Sequence, residues 1–227
     1  HIHLEPRVQG LQPAAASRRF PSYLAPAMTQ LPELPLTLSR QEIRKMIRQR
    51  RRALTPEQQQ EMGQQAATRM MTYPPVVMAH TVAVFLSFDG ELDTQPLIEQ
   101  LWRAGKRVYL PVLHPFSAGN LLFLNYHPQS ELVMNRLKIH EPKLDVRDVL
   151  PLSRLDVLIT PLVAFDEYGQ RLGMGGGFYD RTLQNWQHYK TQPVGYAHDC
   201  QLVEKLPVEE WDIPLPAVVT PSKVWEW

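Results

Sequence analysis

Four of the five residues from 173 to 177 are glycine, in the stretch Arg171-Leu172-Gly173-Met174-Gly175-Gly176-Gly177-Phe178-Tyr179-Asp180. Glycines at Gly173, Gly175, Gly176 and Gly177 remove side chains where a backbone must approach something closely. They also permit positive backbone torsions that turn successive N–H groups toward one anion. A helix expected to start directly afterwards adds the positive end of its dipole. The stretch therefore reads as a phosphate cradle, with a flexible surface loop as the alternative. It lacks the Gly-Lys-Ser/Thr ending of a P-loop and the G-x-G-x-x-G spacing of a dinucleotide fingerprint, so spacing alone leaves the ligand open.

Other residue types narrow the chemistry. Cys200 is the single cysteine, which excludes an intrachain disulfide and a cysteine-based metal cage. His80, His114, His127, His140, His188 and His198 show no ligand spacing, so no zinc site is expected. Arg40, Arg44, Lys45, Arg48, Arg50, Arg51 and Arg52 form a local basic patch without interleaved aromatic residues. It is read as a solvated helix face, with RNA binding as the alternative.

The elements that position these residues can be traced along the chain. Ser39 followed by Glu42 is a capping box ahead of Ile43, Met46, Ile47 and Leu54 at helical spacing. Thr55-Pro56-Glu57-Gln58 opens a second helix with Met62, Ala66 and Met70 on its apolar face. Strands are expected over 81–88, 107–112, 121–126, 155–163, 194–197 and 217–220, and helices over 96–104 and 178–188. Asp89-Gly90 is a turn signal, and the apolar run at 157–163 suits a strand buried on both faces. Strands alternating with helices imply an α/β fold of three layers, with a largely parallel sheet preceded by two N-terminal helices.

Residues 1–36 are rich in proline, alanine and arginine and show no apolar period, so a disordered or loosely ordered segment is expected there. Met28 and Met46 both offer a start, with residues 1–27 set aside as upstream sequence, and 37–227 is expected to be one catalytic domain. Lys plus Arg number 24 against 23 Asp plus Glu, a net charge of +1, so no global field favours nucleic acid or an anionic membrane. No stretch approaches the roughly 20 apolar residues that span a bilayer. A soluble cytoplasmic protein without nucleic-acid or membrane partners is expected.

The stretch Arg171 to Asp180, preceded by Phe165-Asp166-x-x-Gly169, resembles the motif of the 5-formyltetrahydrofolate cyclo-ligase (methenyltetrahydrofolate synthetase) family. Arg44, Phe85-Leu86-Ser87 with Glu91, Ile139-x-Glu141-Pro142 and Asp212 match in order, so the resemblance runs from about Ser39 to Thr220. It implies a monomeric ligase of one-carbon metabolism. Such an enzyme uses ATP and Mg²⁺ to cyclise 5-formyltetrahydrofolate, polyglutamylated or not, to 5,10-methenyltetrahydrofolate with release of ADP and phosphate. A phosphorylated formyl group is the implied intermediate.

The resemblance assigns Arg40, Arg44, Arg171, Leu172, Gly173, Met174, Gly175, Gly176, Gly177, Phe178 and Tyr179 to ATP. It assigns Leu86, Glu91 and the segment Met174 to Phe178 to the folate, and Asp180 and Asp212 to magnesium. Positioning and charge stabilisation suffice for such phosphoryl transfer, so no protein nucleophile is nominated. Arg40 stands where the family commonly has lysine, keeping the charge with a different donor geometry. Pro216 replaces a common acidic residue and removes a side-chain contact near the implied metal. The competing enzyme class is a sugar-phosphate isomerase or acyl-transfer enzyme that uses the loop without ATP, but no general base or nucleophile stands near the loop in sequence.

Overall fold

The computed structural model of the protein describes residues 38–227; the expected loose segment over 1–36 and Met28 lie outside them. Helix α1 (Arg40–Arg52) begins at the Ser39/Glu42 capping box and α2 (Pro56–Thr72) at the Thr55/Gln58 box, each with both reciprocal hydrogen bonds formed. A five-residue helix α3 (Pro74–Met78) follows, so among the described residues three helices rather than two precede the first strand.

The central sheet has eight strands in the order β13-β12-β10-β7-β1-β2-β3-β6. Strands β1 (Thr81–Ala83), β2 (Arg107–Leu113), β7 (Val157–Thr160), β10 (Gln192–Tyr196) and β12 (Ala217–Val219) are mutually parallel. Antiparallel pairings finish the edges: β3 (Leu121–Tyr126) against β2 and β6 (Val149–Leu150) against β3 on one side, β13 (Val224–Glu226) against β12 on the other.

Alternation along each strand sorts the core into two faces. Val82, Val108, Leu110, Val157, Ile159 and Val219 pack under α2 and α4 (Gln95–Arg103) together with Ala66, Met70, Leu97 and Leu101. Ala83, Tyr109, Leu158 and Val218 point to the opposite face, where Leu183, Leu215, Trp225 and Trp227 cover them. That second covering layer is mostly irregular, which is why it left little helical period in the sequence.

Three expected elements differ in extent. The first strand was expected over 81–88, but its ladder stops at Ala83. The chain then runs on extended to a turn at Asp89 and Gly90, both with positive φ. The run expected as one strand over 155–163 ends at Thr160 because Pro161 has no N–H to give the ladder. The apolar residues beyond it lead into β8 (Ala164–Asp166), the centre of a separate three-stranded sheet with β9 (Arg171–Leu172) and β11 (Leu202–Val203). The helix expected over 178–188 is only α5 (Phe178–Leu183), stopped before Asn185, whose φ is +63°. A hairpin of β4 (Leu132–Met134) and β5 (His140–Pro142) had no distinct period-2 signal.

Candidate active site

A cavity of about 590 Å³ opens between α1, the ends of β1 and β2, the β4–β5 hairpin and the glycine loop. Helix α1 runs beside it and carries Arg40, Arg44, Arg48 and Arg51 at spacings of four, four and three, so they share one stripe. Ile43 and Ile47 are fully buried against Val163, Ala164, Leu172 and Leu206 and lock the helix in place. The rise of about 1.5 Å per residue sets Arg40 and Arg51 about 16 Å apart along the axis. Two ends of the site follow from that length.

At the N-terminal end, Arg40 grips Asp212 with both terminal nitrogens, at 2.7 and 3.1 Å, and also donates to the Pro207 carbonyl. Arg44, 6 % exposed, donates from Nε to the Gly173 carbonyl at 2.7 Å and lies under Gly175. Burial first, then the neighbouring Arg40 and Arg48, pull its pKa below the ordinary arginine value. Two arginines held close together in this way favour the arrival of an anion.

The glycine loop rests on this stripe. Gly175 has φ +111° and Gly177 φ +70°, torsions that side-chain-bearing residues seldom adopt. A Cβ at Gly176 would strike the Phe178 ring at 2.8 Å. Arg181 donates to the Gly176 carbonyl and to Gly119, pinning the loop to the β2–β3 connection. The N–H groups of Gly175, Gly176 and Gly177 meet no backbone acceptor among the described residues. They are available to an anion, although α5 has only six residues and its dipole contributes less than the longer expected helix would.

Below the loop Arg171, 4 % exposed, pairs with Asp180 at 3.0 Å, and its Nε has no hydrogen-bond partner among the described residues. Asp180 also accepts from the Ile213 N–H at 3.2 Å, which draws Asp212 and Asp180 into one neighbourhood. Two carboxylates with room for substrate oxygens suit a hard cation such as Mg²⁺. Each is now held by an arginine, and no cluster of three or more His, Cys, Asp or Glu residues stands ready for a metal among the described residues.

At the C-terminal end of α1, Glu91 is buried, its Oε1 accepting from the Phe88 N–H at 3.0 Å. Burial drives its pKa up to about 7, opposed by that hydrogen bond and by the Arg51 charge. Leu86, Phe85 and Phe88 line the adjoining wall. Tyr179 closes the same region from the loop, its phenol pushed well up by burial and by Glu91. The opposite wall is the β4–β5 hairpin, tied to β2 by Glu141, whose Oε2 accepts from Leu113 N–H and Asn135 Nδ2, both at 3.0 Å.

The structure gathers Arg40, Arg44, Leu86, Glu91, Arg171, Gly173, Met174, Gly175, Gly176, Gly177, Phe178, Tyr179 and Asp180 around the cavity. Leu172 does not line the cavity: its side chain is 1 % exposed in the cluster beneath α1, because alternation along β9 turns it away from Arg171. Asp212 is covered by Arg40, its side chain 2 % exposed, and does not itself line the cavity. Pro216 is likewise absent from the lining; its carbonyl accepts from the Trp227 N–H at the sheet edge.

Most of the basic patch is engaged within the fold, while Lys45 and Arg52 stay exposed. Arg40 pairs with Asp212, Arg48, Arg51 and Arg52 converge on Asp89, and Arg50 donates to the Cys200 carbonyl. Burial pushes the Cys200 thiol up to about 11, so it holds its proton at neutral pH. Residues that sequence reading missed are Arg181, directly after the loop's Asp180, Trp211, beside Asp212, and the hairpin's Asn135 and Glu141. Of these only Glu141 lay within a matched motif.

A model of the 5-formyltetrahydrofolate cyclo-ligase family matches residues 37–221. A 5-formyltetrahydrofolate cyclo-ligase of Haemophilus influenzae is 53% identical over 179 residues, covering 79% of this chain and 96% of the relative. One of Mycolicibacterium smegmatis is 31% identical over 188 residues, covering 82% and 95%. The solution structure of Aquifex aeolicus 5,10-methenyltetrahydrofolate synthetase superposes with a TM-score of 0.71 at 28% identity, over 82% of this chain and 92% of that one.

Proposed function

The chain belongs to the 5-formyltetrahydrofolate cyclo-ligase family, and from that membership we propose that it closes 5-formyltetrahydrofolate to 5,10-methenyltetrahydrofolate at the expense of ATP. The carrying observation is the polarity of a single cavity, with an arginine-lined glycine loop at one end and the buried carboxyl of Glu91 at the other. A triphosphate suits the first end and the donor edge of a pterin the second, because a carboxylate accepts from adjacent N–H groups.

In the proposed reaction the formyl oxygen attacks the γ-phosphoryl group, ADP leaves, and the amide becomes an activated phosphorylated formyl group. Folate N10 then attacks the formyl carbon, loses its proton, and phosphate departs as the methenyl bridge closes. Arg44 and the N–H groups of Gly175, Gly176 and Gly177 stabilise charge on the transferring group without moving, since the loop torsions are already set. Arg40 and Arg171 turn from Asp212 and Asp180 toward phosphate oxygens. The freed carboxylates are the residues that would hold Mg²⁺, which when bound neutralises phosphate charge. Leu86, Phe85 and Phe88 exclude water from the pterin side.

The test is to mix the protein with 5-formyltetrahydrofolate, ATP and Mg²⁺ and follow the near-ultraviolet absorbance of the methenyl product. Product formation that stops without nucleotide or after chelation supports the reading. Equal turnover without either would falsify it.

A further inference from the structure

We propose that Trp211 is the stacking platform for the purine base of the nucleotide, a specificity-determining residue at the N-terminal end of the cavity. This rests on the reading above, in which phosphates occupy the glycine loop. Trp211 lines the cavity while remaining 63 % exposed, the most exposed of its large apolar lining residues. An indole left in water at the mouth of a site has a π-face unused by the protein itself.

Its backbone is nevertheless held. The Asp212 N–H returns to the Glu209 carbonyl at 3.1 Å and the Glu209 N–H donates to Asp212 Oδ2 at 2.8 Å, so Trp211 sits within a turn closed twice. In the nucleotide-free protein Arg40 also holds this turn through Asp212 and Pro207, while the Asp212 N–H bond to Glu209 closes it without Arg40. A rigidly mounted aromatic residue with two side-chain torsions loses little freedom on binding.

Position decides which substrate it meets. Trp211 adjoins the Arg40–Asp212 pair at the start of α1, whereas Glu91 lies beside Arg51 near the helix end, about 16 Å along the axis by the helical rise. Arg44 and the loop lie between them. The order along the cavity is thus indole, phosphate cradle, buried carboxyl, which matches base, triphosphate and then the acceptor pterin. A stacking base contact is sequence-tolerant, so the indole favours large flat bases over a bare phosphate chain.

The experiment is calorimetric binding, in Mg²⁺, of ATP and of inorganic tripolyphosphate to the wild type, Trp211→Ala and Trp211→Phe, with the 5-formyltetrahydrofolate KM measured alongside. Removing a stacking aromatic should weaken ATP about 5- to 150-fold, while tripolyphosphate affinity and the folate KM stay unchanged and phenylalanine restores most of the loss. Unchanged ATP affinity in Trp211→Ala overturns the proposal. So does an equal loss for tripolyphosphate, which would make the indole a support for the Arg40–Asp212 turn, or a loss confined to folate. A wild type that binds neither phosphate compound overturns the phosphate reading of the loop and this proposal with it.

Discussion

Glu91→Gln should make the protein more stable at alkaline pH while impairing it as an enzyme. The folded carboxyl titrates at about 7 against an ordinary value of 4.5, because burial disfavours its charge more than the Phe88 N–H and Arg51 favour it. Since the folded pKa is raised, the stability associated with this proton is fully present below 4.5 and is lost as pH rises through 7. The gap corresponds to at most about 3 kcal/mol. Glutamine keeps an acceptor for the Phe88 N–H and cannot ionise. The two proteins should therefore melt within a few degrees of each other near pH 5 and separate by pH 8, the variant melting about 6–12 °C higher for a domain of this size.

The charged and titratable groups around Glu91 are Arg51 on α1, Asp89 on the same turn, Tyr179 on the glycine loop and His198 beyond β10. Burial holds His198 down near 4, so it stays neutral across this window and does not produce the effect. Binding should follow the opposite trend. If a pterin needs the carboxylate, wild-type affinity for 5-formyltetrahydrofolate weakens about tenfold per pH unit below 7, and the glutamine variant binds weakly at every pH. Thermal melts and folate titrations of both proteins from pH 5 to 8 decide the matter. A melting difference that does not change with pH would refute the burial argument, and a flat wild-type folate profile would remove Glu91 from the pterin site.

Three further outcomes follow from the same geometry. Gly175→Val should abolish ATP binding in a folded protein, because the position has φ +111° although a Cβ there meets Arg44 only at ordinary contact distance; ATP affinity and a thermal melt measure it, and unchanged affinity removes the cradle. Asp180→Asn should lower stability as well as turnover, by about 3 kcal/mol, since it leaves the buried Arg171 without its counter-charge; a melt unchanged from wild type would show that Arg171 is satisfied elsewhere. Arg40→Met should let Mn²⁺ bind without nucleotide, measured by paramagnetic resonance, because it uncovers the Asp212 carboxylate; metal binding equal to wild type would show that Arg40 does not guard that carboxylate.

Short-range chemistry was legible directly in the chain. The boxes at Ser39 and Thr55, the Asp89-Gly90 turn and the strand over Leu121–Tyr126 depend on neighbours within a few residues, and the structure forms each where it was expected. The glycine loop was equally local, since positive torsions at Gly175 and Gly177 need glycine whatever surrounds them. What the tertiary structure decided were pairings between residues far apart in sequence. Arg40 meets Asp212 across 172 positions, which turned an expected solvated basic face into one wall of the site and covered an expected metal ligand. The apolar run after Val157 was divided between two sheets by the missing N–H of Pro161. Burial of Glu91 came from α1 and the loop closing over it, and burial is a property of the assembled surroundings rather than of any local run of residues. Sequence thus determined the residue types and local torsions available to the site, and packing decided which charges are matched, which are covered and which are left facing the cavity.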